Sequence, residues 1–222
     1  MIGRIFGWGS GAGRVMQPAE HGPLGVAIGG GIEIDTLSLQ ADMAGAEPAM
    51  PPPSGGMMIV AAYGEARLDA STVLSRYYDA DNTILQILSA SAQPVDDLLD
   101  VSLYRPWDSV VPASAADWAR WRGPSGLIGQ ARYDADGILF ERFWGDGAGR
   151  ADLVEFVETV DDGVSRREIH QSCMLYARPL AETREMLLIN IERDLGAGAA
   201  SQGTSIEFIL GYGLMPADIR RL

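Results

Sequence analysis

The chain has 222 residues, 47% of them hydrophobic and 21% charged, a length and composition typical of one folded domain. All 17 basic residues are arginine, which excludes mechanisms that depend on lysine, such as Schiff-base chemistry or the Walker A phosphate contact. The formal net charge of −13 argues against nucleic acid as a partner, because that binding depends on neutralising phosphates.

The first 23 residues form an N-terminal segment that is predicted to be amphipathic and flexible. Ile2, Ile5 and Phe6 are spaced as on one face of a helix, and Trp8 follows them. Two arginines are the only charged residues up to residue 19, so a weakly basic tail precedes an acidic body. Such a tail would give weak, reversible contact with an anionic membrane surface. The alternative is a terminus that frays or packs on its own domain.

Targeting signals are not evident in the sequence. The N-terminal segment lacks the apolar core of a secretory signal, and no run of 18 or more apolar residues occurs. The single cysteine, Cys173, excludes an intramolecular disulfide. We therefore expect a cytoplasmic protein, with peripheral contact at the inner membrane as an extension of that hypothesis.

Residues 24–222 are predicted to form a single β-rich domain. Residues 24–39 begin with an apolar run and continue near strand period, and the prolines of 44–56 predict a surface loop. From residue 57 onward, short runs rich in β-branched and aromatic residues alternate with Asp, Asn, Gly and Pro. Many strands without regular crossover helices indicate antiparallel sheets. We predict a mainly β (α+β) fold, a curved sheet or barrel-like core with a few short helices.

Two short helices are predicted. Residues 114–122, "SAADWARWR", begin with Ser114, which can accept hydrogen bonds from the first backbone amides. Near the end of the chain, Pro216 in "MPADIRRL" suits a first helical turn.

The stretch 134–147, "DADGILFERFWGDG", combines acidic and aromatic side chains and so raises the question of a site. Its start is typical of a tight turn before a strand, and Ile138–Trp144 carries apolar residues on both faces. The later oxygen ligands of a calcium loop are absent from the sequence pattern. We predict a structural hairpin whose strand is covered on both sides.

Candidate chemistry elsewhere is sparse. His170 and Cys173 lie three apart, which places them on opposite faces of a strand, and too few His and Cys residues exist for a zinc site. The carboxylates lie mostly in turn-like segments. We predict no catalytic residue, no metal site and no cofactor. Trp118 and Trp121, with Trp107 and Trp144, are expected either in the core or along a partner or ligand groove.

Several blocks of sequence occur in an order that resembles a known family. The most recognisable are Arg142-Phe-Trp-Gly145 and Met174-Leu-Tyr-Ala-Arg178, within a likeness that spans roughly residues 24–222. The chain resembles the YjfK-like family of uncharacterised bacterial proteins. Members are encoded near phage-shock-type membrane-remodelling proteins, so the resemblance implies an accessory role at the inner face of the cytoplasmic membrane. It implies no catalytic residue.

Three functional hypotheses follow. The first is a non-enzymatic accessory protein that binds another protein, with Ile2, Ile5, Phe6, Trp8, Trp118 and Trp121 as the partner or ligand surface. The second is a carboxylate-dependent hydrolase or transferase on a cationic, polyamine-like substrate, suggested by the charge of −13. The third is a small-molecule binding module that uses Trp107, Trp118, Trp121 and Trp144, and it requires these indoles to edge an open cavity. A structure with no concave pocket in which two acids converge would count against the second hypothesis.

Overall fold

The computed structural model describes residues 19–90, 98–196 and 205–222. The described residues form two α-helices, α1 (Leu37–Asp42) and α2 (Ala115–Arg122), and a 3₁₀ turn at Pro216–Asp218. They also form fifteen β-strands: β1 (Glu20–His21), β2 (Val26–Ala27), β3 (Gly31–Ile34), β4 (Gly56–Ile59), β5 (Ala62–Arg67), β6 (Val73–Tyr78), β7 (Ile84–Ser89), β8 (Leu98–Val110), β9 (Arg132–Ala135), β10 (Ile138–Arg142), β11 (Val154–Asp161), β12 (Arg166–Leu180), β13 (Thr183–Asp194), β14 (Ser205–Gly213) and β15 (Ile219–Arg221).

Eight of these strands close into an antiparallel barrel. Their order is β11-β5-β6-β7-β8-β14-β13-β12, and β11 pairs with β12 to complete the ring. The closing ladder runs from Val154 opposite Cys173 to Asp161 opposite Arg166. The register of β8 shifts by one residue against β14 and again against β7, irregularities of the kind that bend strands. The prediction of a mainly β fold with an antiparallel, barrel-like core is confirmed.

The barrel separates an inner from an outer set of side chains, because alternate residues of a strand point to opposite faces. In β6, Arg76 and Tyr78 face the interior and Tyr77 faces outward. The buried apolar residues of the interior are Ile84, Tyr104, Cys173, Leu175, Leu188 and Ile209. Two larger apolar clusters lie outside the barrel wall. The outward faces of the strands therefore need cover from other parts of the chain.

One outer cluster is covered by the elements that precede the barrel strands, up to β4, and by the end of the chain. It joins barrel residues such as Tyr77 and Leu85 to Ile32, Leu39 and Met58 of the small sheet and α1. That small sheet has the order β15-β3-β4, so the C-terminal strand pairs beside strands from the start of the domain. The last strand of the chain thus packs with β3 and β4 on one side of the barrel.

The other outer cluster is covered by α2 and the β9–β10 hairpin. The hairpin extends the barrel sheet from β12, where Glu141 and Arg142 pair with Ala177 and Tyr176. Phe140 is fully buried in this cluster. The hairpin therefore works as a packed layer on the barrel wall.

The predicted turn of this hairpin is present, but its strand is not covered on both sides. Asp134 Oδ1 accepts a hydrogen bond of 2.7 Å from the Gly137 amide, and both Asp136 and Gly137 have positive φ. On the outward face, Leu139 is 49% and Phe143 50% exposed. The expectation of cover on both faces is wrong, because about half of each of these two side chains remains exposed to solvent.

The short helices partly match the sequence. Ser114 Oγ accepts a hydrogen bond of 3.1 Å from the Asp117 amide at the start of α2, as predicted. Pro216 begins a single 3₁₀ turn that leads directly into β15. Leu37 lies in α1, not in a strand, since the Asp35 carboxylate accepts a hydrogen bond from the Leu37 amide and supports a helical start.

Candidate functional site

A cavity of about 550 Å³ opens at one end of the barrel, which we call the barrel mouth. It lies where β6, β11 and β13 end and where β5, β7 and β12 begin. Its apolar wall consists of Ala62, Tyr78, Ile84, Pro106, Val160, Ile169 and Ile209. Its volume falls in the range of small-molecule sites, and an eight-stranded barrel is wide enough to hold one small ligand.

A buried polar network lies in the barrel interior next to the mouth. The Glu158 carboxylate accepts hydrogen bonds from Arg76 Nη1 at 2.9 Å, Tyr78 Oη at 2.6 Å and Gln171 Nε2 at 2.8 Å. Arg76 Nε also donates to Gln86 Oε1 at 3.0 Å. The side chains of Arg76 and Glu158 are 4% and 1% exposed. Because they form an ion pair, their opposite charges neutralise each other within the barrel interior.

Four acidic residues line the barrel mouth, and the carboxylates of two of them accept hydrogen bonds from backbone amides of their own turns. Asp79 Oδ1 accepts hydrogen bonds from the Asp81 and Thr83 amides, each at 2.8 Å. Asp162 accepts hydrogen bonds from the Val164 and Ser165 amides. These two carboxylates shape the rim of the cavity.

The other two acids, Glu192 and Glu207, face the cavity from neighbouring strands. Glu207 lies opposite Asn190, two residues from Glu192 on the same face, so the two carboxylates are diagonal neighbours. Asn190 Nδ2 donates to Glu192 at 2.8 Å, and Ser109 Oγ donates to Glu207 at 2.9 Å. Within the described ranges, neither acid forms an ion pair with an arginine.

The environment of Glu192 disfavours its charged form. Burial, and then the nearby Glu158 carboxylate, raise the pKa of Glu192 above its ordinary value, and Glu207 adds to the shift. The nearby Arg76 guanidinium acts in the opposite direction and lowers the pKa of Glu192. A positively charged group between the Glu192 and Glu207 carboxylates would remove their repulsion.

Replacing Glu192 by Gln is expected to increase the free energy of unfolding at neutral pH. Folding raises the pKa of Glu192, so its contribution to stability is present below the unfolded-state pKa and is lost as pH rises through the folded-state pKa. Urea unfolding should show Glu192→Gln more stable than the unmodified chain at about pH 7, with the difference gone near about pH 4. Glu168→Gln, at an exposed position of β12, is the control for a lost charge. Equal stabilities at neutral pH would contradict a disfavoured carboxylate.

Comparison with known proteins identifies the chain by its sequence over nearly its whole length. A family model described as "Protein of unknown function (DUF2491)" matches residues 1–220. The chain belongs to this family. It is 28% identical over 191 residues to the "Uncharacterized protein YjfK" of Escherichia coli (strain K12), covering 83% of this chain and 85% of that protein. No solved structure matches the chain. The resemblance proposed from the sequence blocks is confirmed.

His170 and Cys173 are kept apart, as their spacing indicates. Cys173 is fully buried in the barrel interior, where its thiol donates to Asn190 Oδ1 at 2.9 Å. His170 faces outward, opposite Arg193. Burial raises the pKa of Cys173 to about 12, so the thiol stays protonated and is a poor nucleophile.

The predicted partner surface is only partly described. Ile2, Ile5, Phe6 and Trp8 lie outside the described residues. Trp118 and Trp121 are half-buried against the outer cluster under α2, and the Trp121 ring contacts Phe208 edge-on with centroids 5.7 Å apart. Each also lines a surface depression, and their role in binding stays a prediction.

Sequence reasoning did not find Glu192 and Glu207. Both occur in strands where an acid alternates with apolar residues, "INIERD" and "SIEFIL", a pattern typical of a solvent-facing side. In the barrel, Ile189, Ile191, Ile206 and Phe208 of these strands point outward under α2 and the hairpin, and the acids point inward. The usable signal was the set of polar residues Arg76, Gln86, Glu158, Gln171 and Asn190 within strongly apolar strands.

Other sites are limited in the described part of the chain. No group of three or more His, Cys, Asp or Glu side chains in residues 19–90, 98–196 and 205–222 is arranged to hold a metal ion. No described helix combines the length and apolar character needed to cross a membrane.

Proposed function

We propose that this protein binds a small organic cation in the mouth of its barrel. The observation that carries the proposal is the cavity of about 550 Å³ into which Glu192 and Glu207 project without an arginine partner among the described residues. A ligand ammonium group would lie between these carboxylates, where charge-assisted hydrogen bonds are strongest away from bulk water.

The apolar residues beside the two acids set the shape of the ligand. Ile84, Pro106 and Ile209 form an apolar surface next to the acids. Contact with this surface favours a ligand with a short hydrocarbon body attached to its amine. Arg167 also lines the cavity and adds positive charge. The second polar group of the ligand is therefore either neutral or, if it is cationic, placed away from Arg167.

This proposal is a small-molecule binding function, but at a different place from the module expected from sequence, because none of the described tryptophans lines the barrel mouth. It also agrees with the cationic substrate class of the enzyme hypothesis, since both depend on converging acids. The accessory role with a protein partner at the membrane surface stays a prediction, because four of its six residues lie outside the described ranges.

The proposal is tested by titration calorimetry with a linear diamine, putrescine, and with the matching uncharged diol. We expect saturable heat with the diamine and none with the diol. Glu192→Gln and Glu207→Gln should each weaken diamine binding by about tenfold or more, the loss expected for one charge-assisted contact. Binding should also weaken as pH falls and Glu192 gains its proton.

Glu168→Gln is the matched control, because it removes the same charge from an exposed site on β12. It should leave diamine affinity unchanged. If all three variants bound the diamine as tightly as the unmodified chain, the amine would be held by overall charge and the barrel-mouth site would be refuted.

A further inference from the structure

A second depression, of about 430 Å³, lies on the outer surface of the barrel between α2 and strands β11 to β13. We call it the outer groove, and its lining includes Trp118, Arg122, Glu155, His170, Ser172 and Arg193. His170 and Ser172 face outward on β12, whereas Gln171 between them faces the barrel mouth. The outer groove and the barrel mouth therefore lie on opposite sides of the same strand.

The charge of the outer groove is opposite to that of the molecule. Arg193 lies directly across the strand pair from His170, and Arg122 approaches from the end of α2. In the described part of the chain, neither arginine forms an ion pair with an acid. A positive depression on a chain of net charge −13 is a local feature that the overall composition does not explain.

The Arg122 guanidinium lies over the ring of Trp118. Its central carbon lies 5.5 Å from the centroid of the Trp118 ring, within the range of a cation–π contact. The carbonyl of Arg122, at the end of α2, already accepts a hydrogen bond of 3.3 Å from Arg150 Nη2. Because the Arg122 side chain forms no ion pair within the described residues, its N–H donors remain available to the outer groove.

The acid in the outer groove has its own hydrogen-bond donor. Glu155 Oε1 accepts a hydrogen bond of 3.2 Å from Ser172 Oγ on the paired strand. One carboxylate therefore stands against two guanidinium groups and an imidazole. Guanidinium groups bind oxyanions through paired N–H donors, and a phosphate monoester supplies three acceptor oxygens for donors that approach from several sides.

We propose that the outer groove binds the phosphate group of a small phosphate monoester. Arg122 and Arg193 donate charge-assisted hydrogen bonds from the helix side and the sheet side, and His170 donates a third. The concave shape and the volume of about 430 Å³ fit a free small molecule. A lipid headgroup carries the same chemistry, so the experiment separates the two sources.

The probe is phenyl phosphate, titrated into the full chain by calorimetry, with phenol as the uncharged comparison. We expect saturable binding of phenyl phosphate and none of phenol. Arg122→Gln and Arg193→Gln should each weaken binding by about tenfold or more. Both positions are exposed, so neither variant is expected to disturb folding, which circular dichroism checks.

Two controls locate the site. Arg132→Gln removes an exposed arginine from β9, and Arg167→Gln removes the arginine of the barrel mouth. Neither should change phenyl phosphate affinity. Loss of binding in Arg167→Gln but not in Arg122→Gln or Arg193→Gln would move the phosphate to the barrel mouth and overturn the proposal.

A vesicle arm tests the lipid source. Co-sedimentation with phosphatidylcholine vesicles that contain phosphatidic acid should not depend on Arg122 or Arg193. Absence of saturable phenyl phosphate binding would refute a soluble ligand, and vesicle binding lost in both arginine variants would assign the outer groove to a lipid headgroup instead.

Discussion

Substitution of Arg76 by Met is expected to reduce the free energy of unfolding by about 3–5 kcal/mol, because it leaves a buried carboxylate without its cation. Arg76 Nη1 and Glu158 Oε2 are 2.9 Å apart, and both side chains are almost completely inaccessible. Met has a similar volume, so the loss measures charge and not a cavity. Urea unfolding followed by circular dichroism at neutral pH gives the difference.

Two comparisons make this result specific. Arg132→Met breaks the Arg132–Glu141 pair, whose side chains are 67% and 68% exposed, and should cost less than about 1 kcal/mol. The double variant Arg76→Met, Glu158→Gln removes both charges while keeping an acceptor for Tyr78, and should be more stable than Arg76→Met alone. A double variant no better than the single one would show that the lost cation is not the cause.

Substitution of Gly211 by Ala is expected to cost about 2–3 kcal/mol of unfolding free energy through a steric clash in the barrel interior. A Cβ atom at this position would lie 2.2 Å from Tyr104 Cδ1 and 2.5 Å from Cε1. Tyr104 is 2% exposed and sits directly opposite Gly211 in the β8–β14 ladder, so the ring has little room to move. Chemical unfolding of the variant measures the cost.

The matched control lies two residues away on the same face of the same strand. A Cβ at Gly213 meets no atom within 4 Å, so Gly213→Ala should change stability by less than about 0.5 kcal/mol. In a Tyr104→Leu background the Gly211→Ala cost should fall, since the ring that causes the clash is gone. An unchanged cost in that background would contradict a clash with Tyr104.

Local structure was predictable wherever a few neighbouring residues determine it. The turn at Asp134–Gly137 and the start of α2 at Ser114 depend on side chains that bond to the backbone within three residues. The predominance of antiparallel strands follows from their short alternating runs. These features need no information from distant parts of the chain.

Barrel closure and the two candidate sites depend on distant parts of the chain. The strand Val154–Asp161 pairs on one side with Ala62–Arg67, about ninety residues earlier, and no local pattern encodes that partner. The sequence also does not show which face of β13 and β14 points into the barrel. Their outward faces are apolar because α2 and the hairpin cover them. Without that cover, Glu192 and Glu207 would be expected on a solvated face.

Ring closure has a consequence for how this molecule meets copies of itself. A strand with only one neighbour offers unpaired amides and carbonyls on which another chain can add a strand. In the described part of the ten-stranded sheet, β9 is the strand with a single neighbour. It has four residues, and Arg132 and Asp134 are exposed. An edge strand this short and this charged offers few backbone groups for pairing with a strand of another molecule, which disfavours edge-to-edge association.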